Sequence, residues 1–121
     1  MHIDNPDDPV AMYLRELAEI QPLTKDEETA LFEELGHSGN WNARQEDAAR
    51  RLIESQLQVV ANIADKYSSS TVPLLELIQE GNIGLMKAVA RFAEQPIGEF
   101  RAYAAAYIEA AIQTRVSQSN L

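Results

Sequence analysis

The chain has 121 residues, 45% hydrophobic and 24% charged, which suits one globular domain around one core. It has no cysteine, which excludes a disulfide framework, a thiolate nucleophile and most zinc sites and fits a reducing compartment such as the cytoplasm. The net charge is −9 and uneven: residues 1–75 carry 14 acidic and 6 basic side chains, residues 76–121 carry 5 and 4. Such a balance opposes tight autonomous binding of nucleic acid and suits a basic protein partner.

No run approaches the roughly 18 apolar residues of a membrane span, so no membrane partner is expected. The N-terminus "MHIDNPDDPV" is acidic and lacks the apolar run of a signal peptide. Low aromatic content with abundant Ala, Leu, Glu and Gln predicts an all-α fold, a compact bundle of about five helices, and no strand pattern interrupts it.

The first helix starts at "DDPVAMYLREL". Asp8 is its N-cap, Pro9 its first helical residue, and Val10, Tyr13, Leu14 and Leu17 follow helical spacing until Pro22. The second starts at "TKDEETALFEEL", where Thr24 and Glu27 form a capping box, and ends at Gly36. Trp41 is a packing anchor over the loop "GHSGNWN". The third and longest runs from about Arg44 to Tyr67, with Ile53, Leu57, Val60, Ala64 and Tyr67 as its stripe, flanked by Leu52, Val59 and Ile63. A fourth covers 73–92, a connector follows around Pro96 and Gly98, and a fifth covers 100–116, with "SQSNL" fraying beyond it. The organisation is a single domain over 1–121, a helical pair in 1–43 preceding a core in 44–121.

The fourth segment is the most informative. "LLELIQEGNIGLMKAV" places Leu74, Leu77, Ile78, Leu85, Val89 and Phe92 on an inward face at about 100° per residue. Gly81 lies in that face and Gly84 at its edge. Each costs a helix about 1 kcal/mol relative to alanine, so a neighbouring helix packed close to both is the expected reason for them. Glu76, Gln79, Glu80, Ile83 and Met86 gather on another side, with Asn82 near them. Physical chemistry alone leaves two readings of this side: a solvated surface, or a face of carboxylates, amides and apolar side chains that receives another helix.

In the last segment, Phe100, Tyr103, Ala104, Tyr107, Ile108 and Ala111 cluster on one side, where the aromatics fit a core role. The opposite side holds Ala102, Ala106, Glu109 and Gln113, with Ala110 at its edge. It offers no fork of donors for base edges and no cation for phosphate. The histidines, His2 and His37, fall in a tail and a loop. No nucleophile and base pair, no phosphate-cradling loop and no metal-ligand spacing is found, so no enzyme, no catalytic residue, no cofactor and no metal is expected.

The stretch "LLELIQEGNIGLMKAV" resembles the most specific motif of the bacterial RNA polymerase sigma factors of the sigma-70 family. The resemblance is collinear through "DPVAMYLREL", "PLTKDEE", "RRLIESQLQVVANIADKY" and "RFAEQPIGEFRAYAAAYIEAAI". It implies docking of Glu76, Gln79, Glu80, Asn82, Ile83 and Met86 on the coiled-coil clamp helices of the largest subunit of core RNA polymerase. It also implies contact with non-template promoter DNA through Arg15, Phe92, Phe100, Arg101, Tyr103 and Tyr107. Aromatic stacking on unpaired bases and basic contacts to phosphate would carry that contact.

The departures from the family lie on the DNA side. Ala106 stands where the family has the first of two tryptophans, Tyr107 where it has the second, Glu109 where it has an arginine and Ala110 where it has a glutamine. Gln95 and Pro96 replace connector basics, and Ala11 replaces another arginine. Promoter DNA binding is therefore expected to be weak. Three readings follow: a transcription initiation module, a divergent adaptor or competitor that docks on polymerase without reading DNA, and an interaction module for another partner such as an anti-sigma-type regulator or a second copy. Family members usually continue into two further helical domains, so either a fragment of a longer factor or a self-standing relative fits the chain.

Overall fold

The computed structural model describes residues 8–119, which form six helices: α1 (Pro9–Ala18), α2 (Lys25–Leu35), α3 (Ala43–Glu54), α4 (Leu57–Asp65), α5 (Leu74–Glu94) and α6 (Phe100–Ser119). No strand occurs among the described residues, so the fold is all-α. The N-terminal segment with His2, and the last two residues of "SQSNL", lie outside them.

The local signals in the sequence act as their chemistry predicts. The Asp8 carboxylate accepts from the Val10 amide at 2.9 Å, and Pro9 opens α1 where its missing N–H leaves no bond unmade. Thr24 and Glu27 exchange reciprocal bonds of 3.1 and 2.9 Å, which satisfies two orphan amides of α2. Backbone and side-chain bonds from Thr24 hold the Glu27 carboxyl below its usual pKa. A second capping box, Asn42 with Gln45, starts α3. Its Gln45 Nε2 also reaches the Glu34 carbonyl at 3.1 Å and so ties α3 back to the end of α2.

Two expectations are corrected. The long helix expected from about Arg44 to Tyr67 is two helices, which makes six rather than five. Ser55 Oγ donates to the Leu52 carbonyl at 2.6 Å, and the Gln56 amide bonds three residues back to Ile53 at 3.0 Å. The side chain thus competes with the backbone ladder and the turn tightens. Gln56 at the break is buried. The core side includes Leu52 and Ile63 beside Val60 and Ala64, while Ile53, Leu57 and Tyr67 pack at its margin. The last helix, expected to end at Val116, continues to Ser119, where Ser119 Oγ donates to the Val116 carbonyl.

The core is built around the α5–α6 pair, the most extensive helix contact, with α4 against both. Gly81 and Gly84 permit it. A Cβ on Gly81 would lie 2.7 Å from Val60 Cγ1 and 3.1 Å from Ile112 Cδ1; one on Gly84 would lie 2.7 Å from the Tyr107 carbonyl oxygen and 2.9 Å from Ala111 Cβ. The shortest of these are closer than real Cβ atoms approach their neighbours, so close packing is why this helix accepts two glycines. Trp41 packs against the core from the α2–α3 loop, with its Nε1 buried and without a hydrogen-bond partner among the described residues. No helix of the described residues is long and apolar enough to cross a membrane.

Candidate functional site

α5 turns its inward face to the core and leaves a ridge on the other side. Taking Gln79 as reference, Leu75, Glu76, Ile83 and Met86 lie within about 60° of it on the helical wheel. The apolar members are large and open: Leu75 is 38% exposed, Ile83 47% and Met86 55%. Gln79 and Glu76 are exposed and Glu80 is half-buried at the flank. Asn82 sits deeper than the rest, with its Oδ1 sealed from solvent and without a partner among the described residues. The residues expected to act together thus share one surface, and Leu75 is a member that sequence reasoning missed. Glu76 is engaged within the chain: Arg115 of α6 donates to its carboxylate at 2.9 Å.

The second expected set is divided. Phe92 and Phe100 are 8% and 2% exposed. With Phe32 of α2 they form an aromatic triad at centroid distances of 4.9 to 5.5 Å, with Phe100 edge-to-face on both of the others and the Phe32–Phe92 pair tilted. Neither ring is open to solvent. Tyr103 continues the triad, 5.2 Å from Phe92, and stacks on Tyr107 at 5.0 Å. Both tyrosines are half-buried at the rim. Tyr103 Oη donates to Tyr107 Oη at 3.3 Å, and this bond is the main cause that raises the Tyr103 pKa.

Arg101 is engaged within the chain. Its Nη2 donates to the Leu23 carbonyl at 2.9 Å and its Nε approaches the buried Glu28 carboxylate at 3.5 Å, so it fastens the α1–α2 connector to α6. Arg15 lies on α1, whose main packing partner is α4. Ala11, where the sequence departs from an arginine, is fully buried.

Glu109 is also a tether. Tyr67 Oη donates to its Oε2, Lys66 Nζ lies 3.0 Å from its Oε1, and Gln113 Nε2 donates to Tyr67 Oη at 3.0 Å. The phenol and ammonium hold the Glu109 carboxyl below its usual pKa, while the carboxylate pushes the Tyr67 phenol up. The network joins the end of α4 to the outward side of α6. Sequence reading placed Tyr67 in the core and left Lys66 unassigned, because a contact 43 positions away leaves no local trace.

Among the described residues, no group of three or more His, Cys, Asp or Glu side chains could hold a metal ion. His37 Nδ1 lies 2.7 Å from the Ala93 carbonyl near the end of α5, an end-capping contact.

Comparison with known proteins gives the frame for this geometry. The family model "Sigma-70 region 2" matches residues 52–120, which contain α4, α5 and α6, and "Sigma-70 factor, region 1.2" matches residues 8–31, which contain α1. The chain is 40% identical over 111 residues to RNA polymerase sigma factor SigA of Lactococcus lactis subsp. cremoris, covering 92% of this chain and 30% of that protein. It is 40% identical over 110 residues to SigA of Listeria monocytogenes, covering 91% and 28%. It is 34% identical over 120 residues to RNA polymerase sigma factor RpoH of Caulobacter vibrioides, covering 98% and 39%. The chain therefore spans about a third of the length of the curated relatives it matches. With more than half of its residues matched by the region 2 model and the match centred on the α5–α6 pair, this chain belongs to the sigma-70 family.

Proposed function

We propose that the chain is the polymerase-docking core of a sigma-type transcription initiation factor, a non-enzymatic module acting in the cytoplasm. Its partner is core RNA polymerase, engaged through the clamp coiled coil. The observation that carries this reading is the α5 ridge: Leu75, Gln79, Ile83 and Met86 open to solvent, with large apolar side chains there that the core does not use and carboxylates beside them at Glu76 and Glu80. Exposed apolar side chains rimmed by polar groups mark a surface that a partner covers. Acidic groups on the ridge suit basic side chains on the clamp.

A second reading has its own support: docking on polymerase with little reading of DNA, as an adaptor or competitor. The cations Arg101, Lys66 and Arg115 are each bound to a carboxylate of the same chain, and two of the four aromatics expected to stack on bases are in the core. Phosphate binding depends on free cations and base capture on open rings.

One pair of measurements tests both. Binding to the isolated clamp coiled coil is expected and is expected to weaken in Gln79→Ala and Met86→Ala. Binding to single-stranded non-template promoter DNA across a salt series is expected to be weak, with a shallow salt slope. Absence of clamp binding sinks both readings. Tight, sequence-selective DNA binding that weakens in Tyr107→Ala sinks the docking-only one.

A further inference from the structure

The last turns of α6 are thinly held. Its fully buried side chains are Phe100, Ala104, Ile108 and Ile112, and none of the described residues after Ile112 is buried. Beyond that point Val116 packs at the core margin, and three side chains reach other elements. Gln113 Nε2 donates to Tyr67 Oη at 3.0 Å, Thr71 Oγ1 donates to Ser119 Oγ at 3.3 Å, and Arg115 Nη2 donates to Glu76 Oε2 at 2.9 Å. The Arg115 contact is the shortest and the only charged one of the three, and charge-assisted bonds are the strong class. Among the ion pairs of the described residues it alone joins α5 to α6. Glu76 in turn is the one acidic side chain in the first turn of α5, a helix start without a side-chain cap. Both ends of the pair are open to competitors: the Arg115 side chain is 31% exposed and that of Glu76 48%.

We infer that Arg115 and Glu76 form a latch, opened when a cationic partner docks on the α5 ridge, and that opening it loosens the last turns of α6. The inference rests on the reading that the ridge docks on polymerase. An incoming ammonium or guanidinium competes with Arg115 for one half-exposed carboxylate. Two cations at one carboxylate repel each other, so Arg115 gives way. Residues 113–119 then keep Val116 and two neutral hydrogen bonds, and a segment with so little buried apolar area opens readily. Gln113 lies in that segment, so the loosening reaches Tyr67 and the Glu109 tether on the outward side of α6. Linkage makes the effect reciprocal: whatever strengthens the latch weakens docking. Arg115 thus tunes the affinity of the ridge by holding Glu76, without touching the partner.

Amide hydrogen exchange across 113–119 tests the latch in the free chain, and titration with the isolated clamp coiled coil tests its opening. Arg115→Gln is expected to speed exchange across 113–119 about threefold and to leave α4 unchanged. Arg115→Lys keeps the cation and should exchange like the parent chain. Arg44→Gln, which breaks the exposed pair of Arg44 with Glu34, should leave 113–119 unchanged. In the titration, Arg115→Gln is expected to tighten binding about threefold at low salt and Glu76→Gln to weaken it. Arg115→Gln should have no further effect once Glu76→Gln is present. Bound to the coiled coil, the parent chain should exchange across 113–119 as fast as free Arg115→Gln. Unchanged exchange in Arg115→Gln overturns the latch. So does slower exchange across 113–119 in the complex, and if Gln79→Ala still weakens binding the docking reading survives that result. Absence of binding by the parent chain, or binding unaffected by Gln79→Ala, overturns the docking reading and the inference with it. Faster exchange in Arg115→Gln would then mark a structural pair alone.

Discussion

The two faces of the α5–α6 pair have opposite characters. On α5, the outward side keeps large apolar side chains, amides and carboxylates that the core does not use. On α6, the outward side is small and its charge is spent within the molecule, Glu109 on Lys66 and Tyr67. Two nearby cations do the same: Arg101 holds the α1–α2 connector and Arg115 holds Glu76. A surface kept for a partner leaves its recognition groups uncommitted or weakly committed, whereas a surface that serves the fold commits them.

The sharpest way to break this comparison is to ask whether an aromatic of the second set is core or reader. Phe100→Ala removes a ring that is 2% exposed and packed on two phenylalanines. It is expected to cost about 3–5 kcal/mol in urea denaturation, whatever its effect on DNA. A small loss of stability with a large loss of DNA affinity would move Phe100 to the reading surface.

A smaller effect comes from the seam between the faces. Gly84→Ala would bring a methyl group to 2.7 Å from the Tyr107 carbonyl oxygen, a backbone atom that yields only if α6 shifts. Overpacking of this kind costs about 1–3 kcal/mol, offset by up to about 1 kcal/mol of helix propensity, so a net loss is expected from the denaturation midpoint.

The smallest effect is that of the Glu109 tether. Glu109→Gln is expected to lower stability by no more than about 1 kcal/mol, because the pair is partly exposed and screened. It should also raise affinity for single-stranded DNA severalfold at low salt by freeing Lys66 and removing an anion. The folded state lowers the Glu109 pKa from its ordinary 4.5. Its contribution is therefore present above that value and lost as pH falls through the lower folded value. The Tyr67 pKa is raised from 10.0, so its contribution is present below 10 and lost as pH rises through the higher folded value. Stability of Glu109→Gln measured from pH 7 to pH 3 should converge on that of the parent chain at the acid end.

Much of this was legible in the sequence because it is local. Asp8, Pro9 and the Thr24–Glu27 box act across two or three residues, and their chemistry is readable without the fold. The α5 ridge was legible because one helix period brings Gln79, Ile83 and Met86 together without help from any other element. The break at Ser55–Gln56 was not, since a serine inside a helix has two local hydrogen-bonding choices and periodicity does not choose between them. Phe32 was missed because a single aromatic in an acidic helix gives no sign that two other phenylalanines will meet it.

By itself, then, the sequence determined most of the helices, the caps at Asp8 and Thr24, the two glycines that had to face a close neighbour, and the polar ridge of α5. Each of these follows from backbone geometry repeated every three or four residues. Only the tertiary structure decided which aromatics were core, which cations were committed, and how closely α6 lies on α5. Those properties depend on atoms brought together from positions dozens of residues apart, such as Arg101 with Leu23 and Lys66 with Glu109, and on how far Gly84 lets two backbones approach.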